Sequence, residues 1–156
     1  MIRYVLAVVL TVALVGIGWT GLEHAAALRS EQQVENALAE IDEAAVSLVE
    51  NDDPPAAGQE GPRRVVELNL PRDGLTSERV ETFHIRPESK NVSVAEYTFD
   101  GRAVHTVTMD APIRDGNTNR TATADLSGET GSITVVLTLT EDDDTEYVEL
   151  RVPPAG

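Results

Sequence analysis

The sequence predicts an α+β protein with a long N-terminal helix, made of a transmembrane half and an amphipathic half, and a small antiparallel β-domain of about six strands. Three observations predict it. The stretch Tyr4–Leu22 holds nineteen residues without a charge. Apolar residues then recur at helical spacing up to Leu48, and beyond Arg63 they alternate with polar residues at a period of two. The expected organisation is a transmembrane segment over 1–22, an amphipathic helix over 23–50, a linker over 51–62 and an extracytoplasmic β-domain over 63–153.

Composition narrows the class of protein. The net charge is −15, and the basic residues are eleven arginines and a single lysine, Lys90. Such an acidic surface repels nucleic acid, so a nucleic-acid partner is not expected. Abundant acid with almost no lysine is typical of haloarchaeal proteins, whose self-repulsion is screened in concentrated salt. The absence of cysteine excludes disulfides, thiolate zinc sites and cysteine nucleophiles.

The apolar stretch has three interpretations. As a helix it is about 28 Å long, close to the thickness of a bilayer core, which favours a single-pass anchor. Arg3 marks the N-terminus as cytoplasmic and the C-terminal domain as outside. A cleavable signal peptide is the alternative, because Ala25-Ala26-Ala27 fits a cleavage site and would release a secreted protein near Ala27. A buried core helix is the third interpretation.

An amphipathic continuation of the helix follows the apolar stretch. Its apolar residues recur at spacings of four and three, with acidic and amide side chains between them, so one face must pack on something. The packing surface is either the β-domain of the same chain or a partner helix, including a second copy. The predicted packing residues are Val34, Leu38, Ile41, Ala45 and Leu48.

The linker NDDPPAAGQEGP over 51–62 ends the helix, because proline cannot continue it. Strands are then predicted at Val66–Leu70, before the turn Pro71–Gly74, and around Phe83 and Ile85. A third strand over Asn91–Phe99 has an apolar parity that slips between Val94 and Tyr97, which indicates a bulge. The final predictions are a hairpin at Asp100-Gly101 with a strand to Met109, a surface loop over 110–131 containing a short strand near 121–126, and strands over 133–139 and 147–152.

No residue pattern predicts a catalytic site or a cofactor. His24, His84 and His105 lack the spacing of a zinc site. Asp115, Asn117 and Asn119 match the start of an EF-hand loop, but the sequence then departs from it, so no metal site is predicted. Without a serine motif or a phosphate-binding glycine loop, the chain is not expected to be an enzyme, and the sequence identifies no small-molecule substrate.

Two sequons predict glycosylation of an extracytoplasmic domain. Asn91 begins Asn-Val-Ser and Asn119 begins Asn-Arg-Thr. Both are expected at strand starts or in loops, where an asparagine side chain is accessible.

The order of parts resembles a type IV pilin-like subunit: a short N-terminus, an apolar helix, its amphipathic extension and a β-domain. The segments MIRYVLAVV and GPRRVVELNLPRDG also resemble an uncharacterised haloarchaeal protein family. The resemblance implies an accessory or assembly subunit of a cell-surface system that contacts the membrane through 4–22 and other pilin-like subunits or itself. The apolar stretch lacks the early glutamate of bacterial pilins, so a major filament subunit is not implied. The alternative is a secreted β-domain that acts as a binding module.

Overall fold

A computed structural model describes residues 2–56, 59–74, 77–117, 123–142 and 145–154. The side chains of residues 2–8, 10 and 12–25 lie outside this description. Within it, one helix precedes eight strands. The elements are α1 (Ile2–Asn51), β1 (Arg63–Leu70), β2 (Val80–Pro87), β3 (Ser93–Phe99), β4 (His105–Met109), β5 (Ile113–Asp115), β6 (Ala124–Asp125), β7 (Gly131–Asp142) and β8 (Thr145–Arg151).

The strands form two four-stranded sheets. Sheet 1 has the order β1-β7-β8-β5, and sheet 2 has the order β4-β3-β2-β6. The pairs within them are antiparallel apart from β5 and β8, which are parallel. The prediction of about six antiparallel strands is therefore wrong in number and in direction. The short strand expected near 121–126 is present as β6, but β5 has only three residues, too few to show a period.

Helix α1 closes one side of the space between the sheets. The sheets approach each other where β5 contacts β2 and β6. On the other side α1 contacts β1, β7 and β8 and reaches β4 through a 3.2 Å contact between a Glu31 carboxylate oxygen and Nδ1 of His105. One continuous core results, and it contains side chains from the helix and from both sheets.

The predicted transmembrane half of the helix is contradicted. Among the residues that the structure describes, no helix is long and apolar enough to cross a bilayer. The part of α1 whose side chains are described continuously, from Ala26 to Asn51, is not apolar all round, because acidic and amide residues separate its buried positions. This finding also contradicts the single-pass topology, with its cytoplasmic N-terminus and outside domain. Most side chains of 4–22 lie outside the described residues.

Two further details of the β-domain differ from the predictions. In β3 the buried positions alternate without a slip, at Ser93, Ala95, Tyr97 and Phe99, and the register shift lies in β2 between Val80 and Thr82 instead. The alternation is hard to recognise in the sequence because two of the buried positions, Ser93 and Ala95, carry small side chains. The segment over 110–131 is not simply a surface loop, because part of it is buried core: Ala111, Ile113, Ala124 and Leu126.

Candidate functional site

The structure places all five predicted packing residues of α1 in the core. Their exposed fractions are 2% or less, and they share the core with residues from both sheets. Their partners within the described residues are the β-domain of the same chain. Of the two surfaces weighed for this face, the strands of the chain itself therefore occupy it. The face consists of Val34, Leu38, Ile41, Ala45 and Leu48.

Polar contacts fix the position of α1 along the sheets. The Glu78 amide donates a hydrogen bond of 2.7 Å to the hydroxyl of Ser30, which is fully buried. The Asp110 amide donates one of 2.8 Å to the Asp42 carboxylate. The pKa of Asp42 is raised overall, because the effect of burial outweighs the lowering by the hydrogen bond from Asp110. Because each contact joins α1 to a different connection of the β-domain, sliding of the helix would break them together.

A ring cluster lies where α1 crosses β4. The His105 imidazole stacks on Tyr97, with centroids 5.0 Å apart and planes 11° apart. Its Nδ1 lies 3.2 Å from a carboxylate oxygen of Glu31. Burial, and then the charges of Glu35 and Glu31, raise the pKa of Tyr97 to about 12. The cluster is held by packing and by one charged contact, and its phenol stays neutral far into the alkaline range.

The raised pKa of Tyr97 makes the alkaline stability of the fold testable. A group whose folded pKa exceeds its unfolded pKa contributes stability that is lost as pH rises through the folded pKa. For Tyr97 that window runs from 10 to about 12. We therefore expect Tyr97→Phe to lose less stability than the unaltered protein between about pH 8 and about pH 11. Urea midpoints at the two pH values measure this, and equal losses in both proteins would contradict it.

One cluster superficially resembles a hydrolase triad. Nε2 of His84 lies 3.5 Å from the Ser127 hydroxyl and 3.4 Å from a carboxylate oxygen of Asp125. A triad needs the two partners on opposite ring nitrogens, so that the imidazole passes a proton between them. Here both approach the same nitrogen, and the Ser127 hydroxyl already accepts a hydrogen bond from the Phe83 amide. Hydrogen bonds from the Ser127 hydroxyl and amide, together with His84, lower the pKa of Asp125. The arrangement caps a turn and does not activate a nucleophile.

A buried carboxylate lies on the outer face of sheet 1, in a position that sequence alternation does not reveal. Glu149 follows core residue Val148 on β8 and is nonetheless buried. Its two oxygens lie 3.2 Å from the Arg114 guanidinium and 3.0 Å from that of Arg151. The Arg114 guanidinium also lies 4.5 Å from the Tyr147 ring centroid. We call these residues the Glu149 cluster: Arg114, Tyr147, Glu149 and Arg151.

Several concave surfaces adjoin sheet 1, among them an outer groove and an arginine pocket. The outer groove has a volume of about 430 Å³ and lies between the linker, the outer face of β7 and the Glu149 cluster. The arginine pocket has a volume of about 240 Å³ and lies at the other end of the sheet, beside α1. Neither surface is visible in the sequence, because the residues of each come from distant parts of the chain. The arginine pocket is lined by Arg29, Gln33, Asn69, Leu70, Arg72 and Ser77.

The remaining candidate residues do not assemble into a site. Among the described residues, no group of three or more histidine, cysteine or acidic residues could hold a metal ion. Asn91 of the first sequon is exposed, but the Ser93 hydroxyl is buried, donates to the Ala111 carbonyl at 2.7 Å and accepts from the Ile113 amide at 2.6 Å. Asn119, of the second sequon, lies outside the described residues. Asp115 accepts hydrogen bonds from the Asn117 amide and side chain.

The fold and its polar clusters define a class of protein: a helix closed against two four-stranded sheets, with surface pockets and no assembled nucleophile or metal centre in the described part of the chain. Residues 1–153 match the model of the family described as a domain of unknown function, DUF7311, and the chain belongs to that family. No curated protein and no solved structure matches the chain.

Proposed function

We propose that the chain is a non-enzymatic, pilin-like accessory or assembly subunit. In this function the N-terminal half of α1 packs against the same helix of neighbouring copies, and the β-domain forms the outer surface of the assembly. The C-terminal half of α1 joins the two parts rigidly, because its apolar face is buried in the β-domain.

The extent of α1 is the observation that carries the proposal. The helix begins at Ile2, and the polar contacts of its described side chains with the β-domain include those of Ser30, Glu31 and Asp42, all in its C-terminal half. At about 1.5 Å per residue, the helix continues roughly 36 Å N-terminal of Ala26. Val9, in this part, has an exposed fraction of 62%. The sequence Tyr4–Leu22 has no charge, and an uncharged helical stretch of this length is expected to pack against a partner.

The carboxylate geometry is consistent with a role in assembly. The charged clusters of the described residues tie elements together: Glu31 holds β4 to the helix, Asp52 holds the linker to Arg64 at 2.6 Å, and Glu149 holds β5 to β8. In each case a carboxylate oxygen lies within 3.2 Å of a nitrogen of its partner, so these three carboxylates already have partners within the subunit. The subunit is therefore built as a rigid part that is joined to a long helix.

Substitution of Val9 tests the proposal in the full chain. We expect Val9→Arg to raise the concentration at which the protein self-associates by about tenfold or more, because burial of an unpaired charge between helices costs more than 1.4 kcal/mol. Sedimentation velocity over a range of concentrations measures the effect. The matched control is Gln32→Arg, which adds the same charge at an exposed position on the same helix.

The outcome is decisive in either direction. Loss of association in Val9→Arg, with normal association in Gln32→Arg, supports the helix as the assembly surface. A wild-type chain that stays monomeric at all concentrations, or a Val9→Arg variant that associates normally, would overturn the proposal.

The outer groove favours a second candidate function, a binding module whose ligand surface is on the β-domain. The groove is lined by Arg63, Thr138, Thr140 and Asn117, which offer both donors and acceptors. A monomeric wild-type chain would direct attention to this candidate, and a screen for ligands that perturb the amide signals of Thr138 and Thr140 would then test it.

A further inference from the structure

The arginine pocket combines two arginines that have no carboxylate partner in the described part of the chain. Arg29 lies on α1 and Arg72 follows β1, and neither takes part in the ion pairs found among the described residues. None of the described residues that line the pocket is acidic. This is unusual in a chain with 27 acidic and 12 basic residues, and it leaves a positive concavity on an acidic molecule.

The position of Arg72 is determined by the backbone around it. Gly131 has a φ of 75°, and a Cβ built there would lie 2.7 Å from the Arg72 guanidinium carbon. A side chain at this position would displace the guanidinium from its place, and the positive φ favours glycine there. The Ser77 hydroxyl donates to the Arg72 carbonyl, and the Gly74 amide donates to the Ser77 carbonyl at 3.1 Å. The pocket is thus a defined feature of the fold.

The opposite end of the same sheet is acidic. Strand β7 runs from Gly131, beside the pocket, to Asp142, about 36 Å away at ~3.3 Å per residue. Glu141 and Glu146 lie directly opposite each other across β7 and β8, and like charges in that position destabilise a strand pair. Neither has an ion pair among the described residues. We call this end the acidic tip: Glu141, Asp142 and Glu146.

We infer that the acidic tip of one copy docks into the arginine pocket of the next copy. The inference rests on the proposed assembly function and specifies its second contact. Arginine and carboxylate groups form short, charge-assisted hydrogen bonds that are often bidentate. The contact also relieves the repulsion between Glu141 and Glu146. Because the two surfaces differ and lie at opposite ends of the sheet, the interface is heterologous and propagates in one direction.

The location of the pocket fits a second copy as the occupant. The pocket contains Arg29 and Gln33 of α1, which lie where the N-terminal half of the helix leaves the β-domain. A tip that docks there lies beside that helix. The N-terminal half of α1 in the docking copy leaves its own β-domain at the opposite end of sheet 1 from its acidic tip, so the head-to-tail contact is distinct from the helix contact.

Charge reversal at both surfaces tests the inference in the full chain. The pocket variant is R29E/R72E and the tip variant is E141R/E146R. Each alone presents like charges at the contact, so we expect the concentration for half-maximal assembly to rise by at least about tenfold. Mixing the two variants restores opposite charges at both contacts, so we expect the mixture to assemble at the wild-type concentration. Sedimentation velocity of each variant and of the mixture measures this.

The matched control is R79E/K90E, which reverses two exposed basic residues outside the pocket and should assemble as the wild type does. Thermal unfolding of each variant shows whether it folds. Wild-type assembly of the folded pocket variant, or failure of the mixture to assemble, would overturn the inference. If Val9→Arg still abolishes association in that case, the proposed function stands and only the head-to-tail contact is wrong.

Discussion

Replacing Ile41 with alanine is expected to lower the free energy of unfolding by about 2–5 kcal/mol. Ile41 is fully buried at the middle of the helix face that fills the space between the sheets. Truncation removes apolar contacts and leaves a cavity that strands of two different sheets cannot both close. The midpoint of guanidinium unfolding measures the loss.

The neighbouring residue provides the control for Ile41→Ala. Glu40 is exposed on the opposite face of α1, so Glu40→Ala should change the free energy of unfolding by no more than about 0.5 kcal/mol. Similar losses in the two variants would show that α1 contributes helix propensity alone and does not form part of the core.

Replacing Glu149 with glutamine is expected to destabilise the fold by about 2–4 kcal/mol, because it removes the common partner of two arginines. The side chain of Arg114 is only 16% exposed and depends on Glu149 and on Asp142 for its charged contacts. The loss should be smaller in the double variant R114M/E149L, in which no buried charge is left unpaired.

Chemical denaturation of both variants measures this effect. Glu81→Gln, at an exposed position of β2, is the control for removing one carboxylate charge. A double variant that is less stable than Glu149→Gln would contradict the interpretation, since it would show that the charges themselves stabilise the sheet.

The sequence contained the local information for α1 and for the longer strands. Val34, Leu38, Ile41, Ala45 and Leu48 recur at helical spacing, and these side chains lie in the core. Alternation likewise marked the segments that form β1, β7 and β8. Both patterns are visible because one face of each element is buried over several turns or residues, so the period repeats enough times to be recognised.

The division into two sheets could not be predicted in the same way. Strand β5 has three residues, and its parallel pairing with β8 depends on Ile113 meeting Val148 across a long separation in sequence. A strand of two or three residues is too short to show a period, and its pairing partner depends on how the whole core packs. The transmembrane prediction was wrong for a related reason. It rested on the hydropathy of the single window Tyr4–Leu22, whereas the described part of α1 carries acidic and amide residues between its buried positions.

The arginine pocket shows the same limit at the level of function. Arg29 and Arg72 are distant in sequence, and only the antiparallel path of β1 beside α1 brings them together. The sequence does contain one signal. Basic residues are scarce in this acidic chain, so each arginine has many acidic residues with which it could pair, and an arginine without such a partner is unexpected. The acidic run after Thr140 is visible in the sequence, but the arginine pocket that we propose as its binding site is not.

The order of strands in sheet 1 also determines when the fold can form. Strand β1 pairs with β7, so Leu70 finds its partner only after the chain has passed through all of sheet 2 to Gly131. Closing so long a loop is slow, because the entropic cost of closure arises before β1 and β7 make the contacts that stabilise their pairing. Sheet 2, whose strands β2, β3 and β4 are joined in sequence, can form earlier. We expect refolding in two kinetic stages, in which α1 remains without its main packing surface until the second stage.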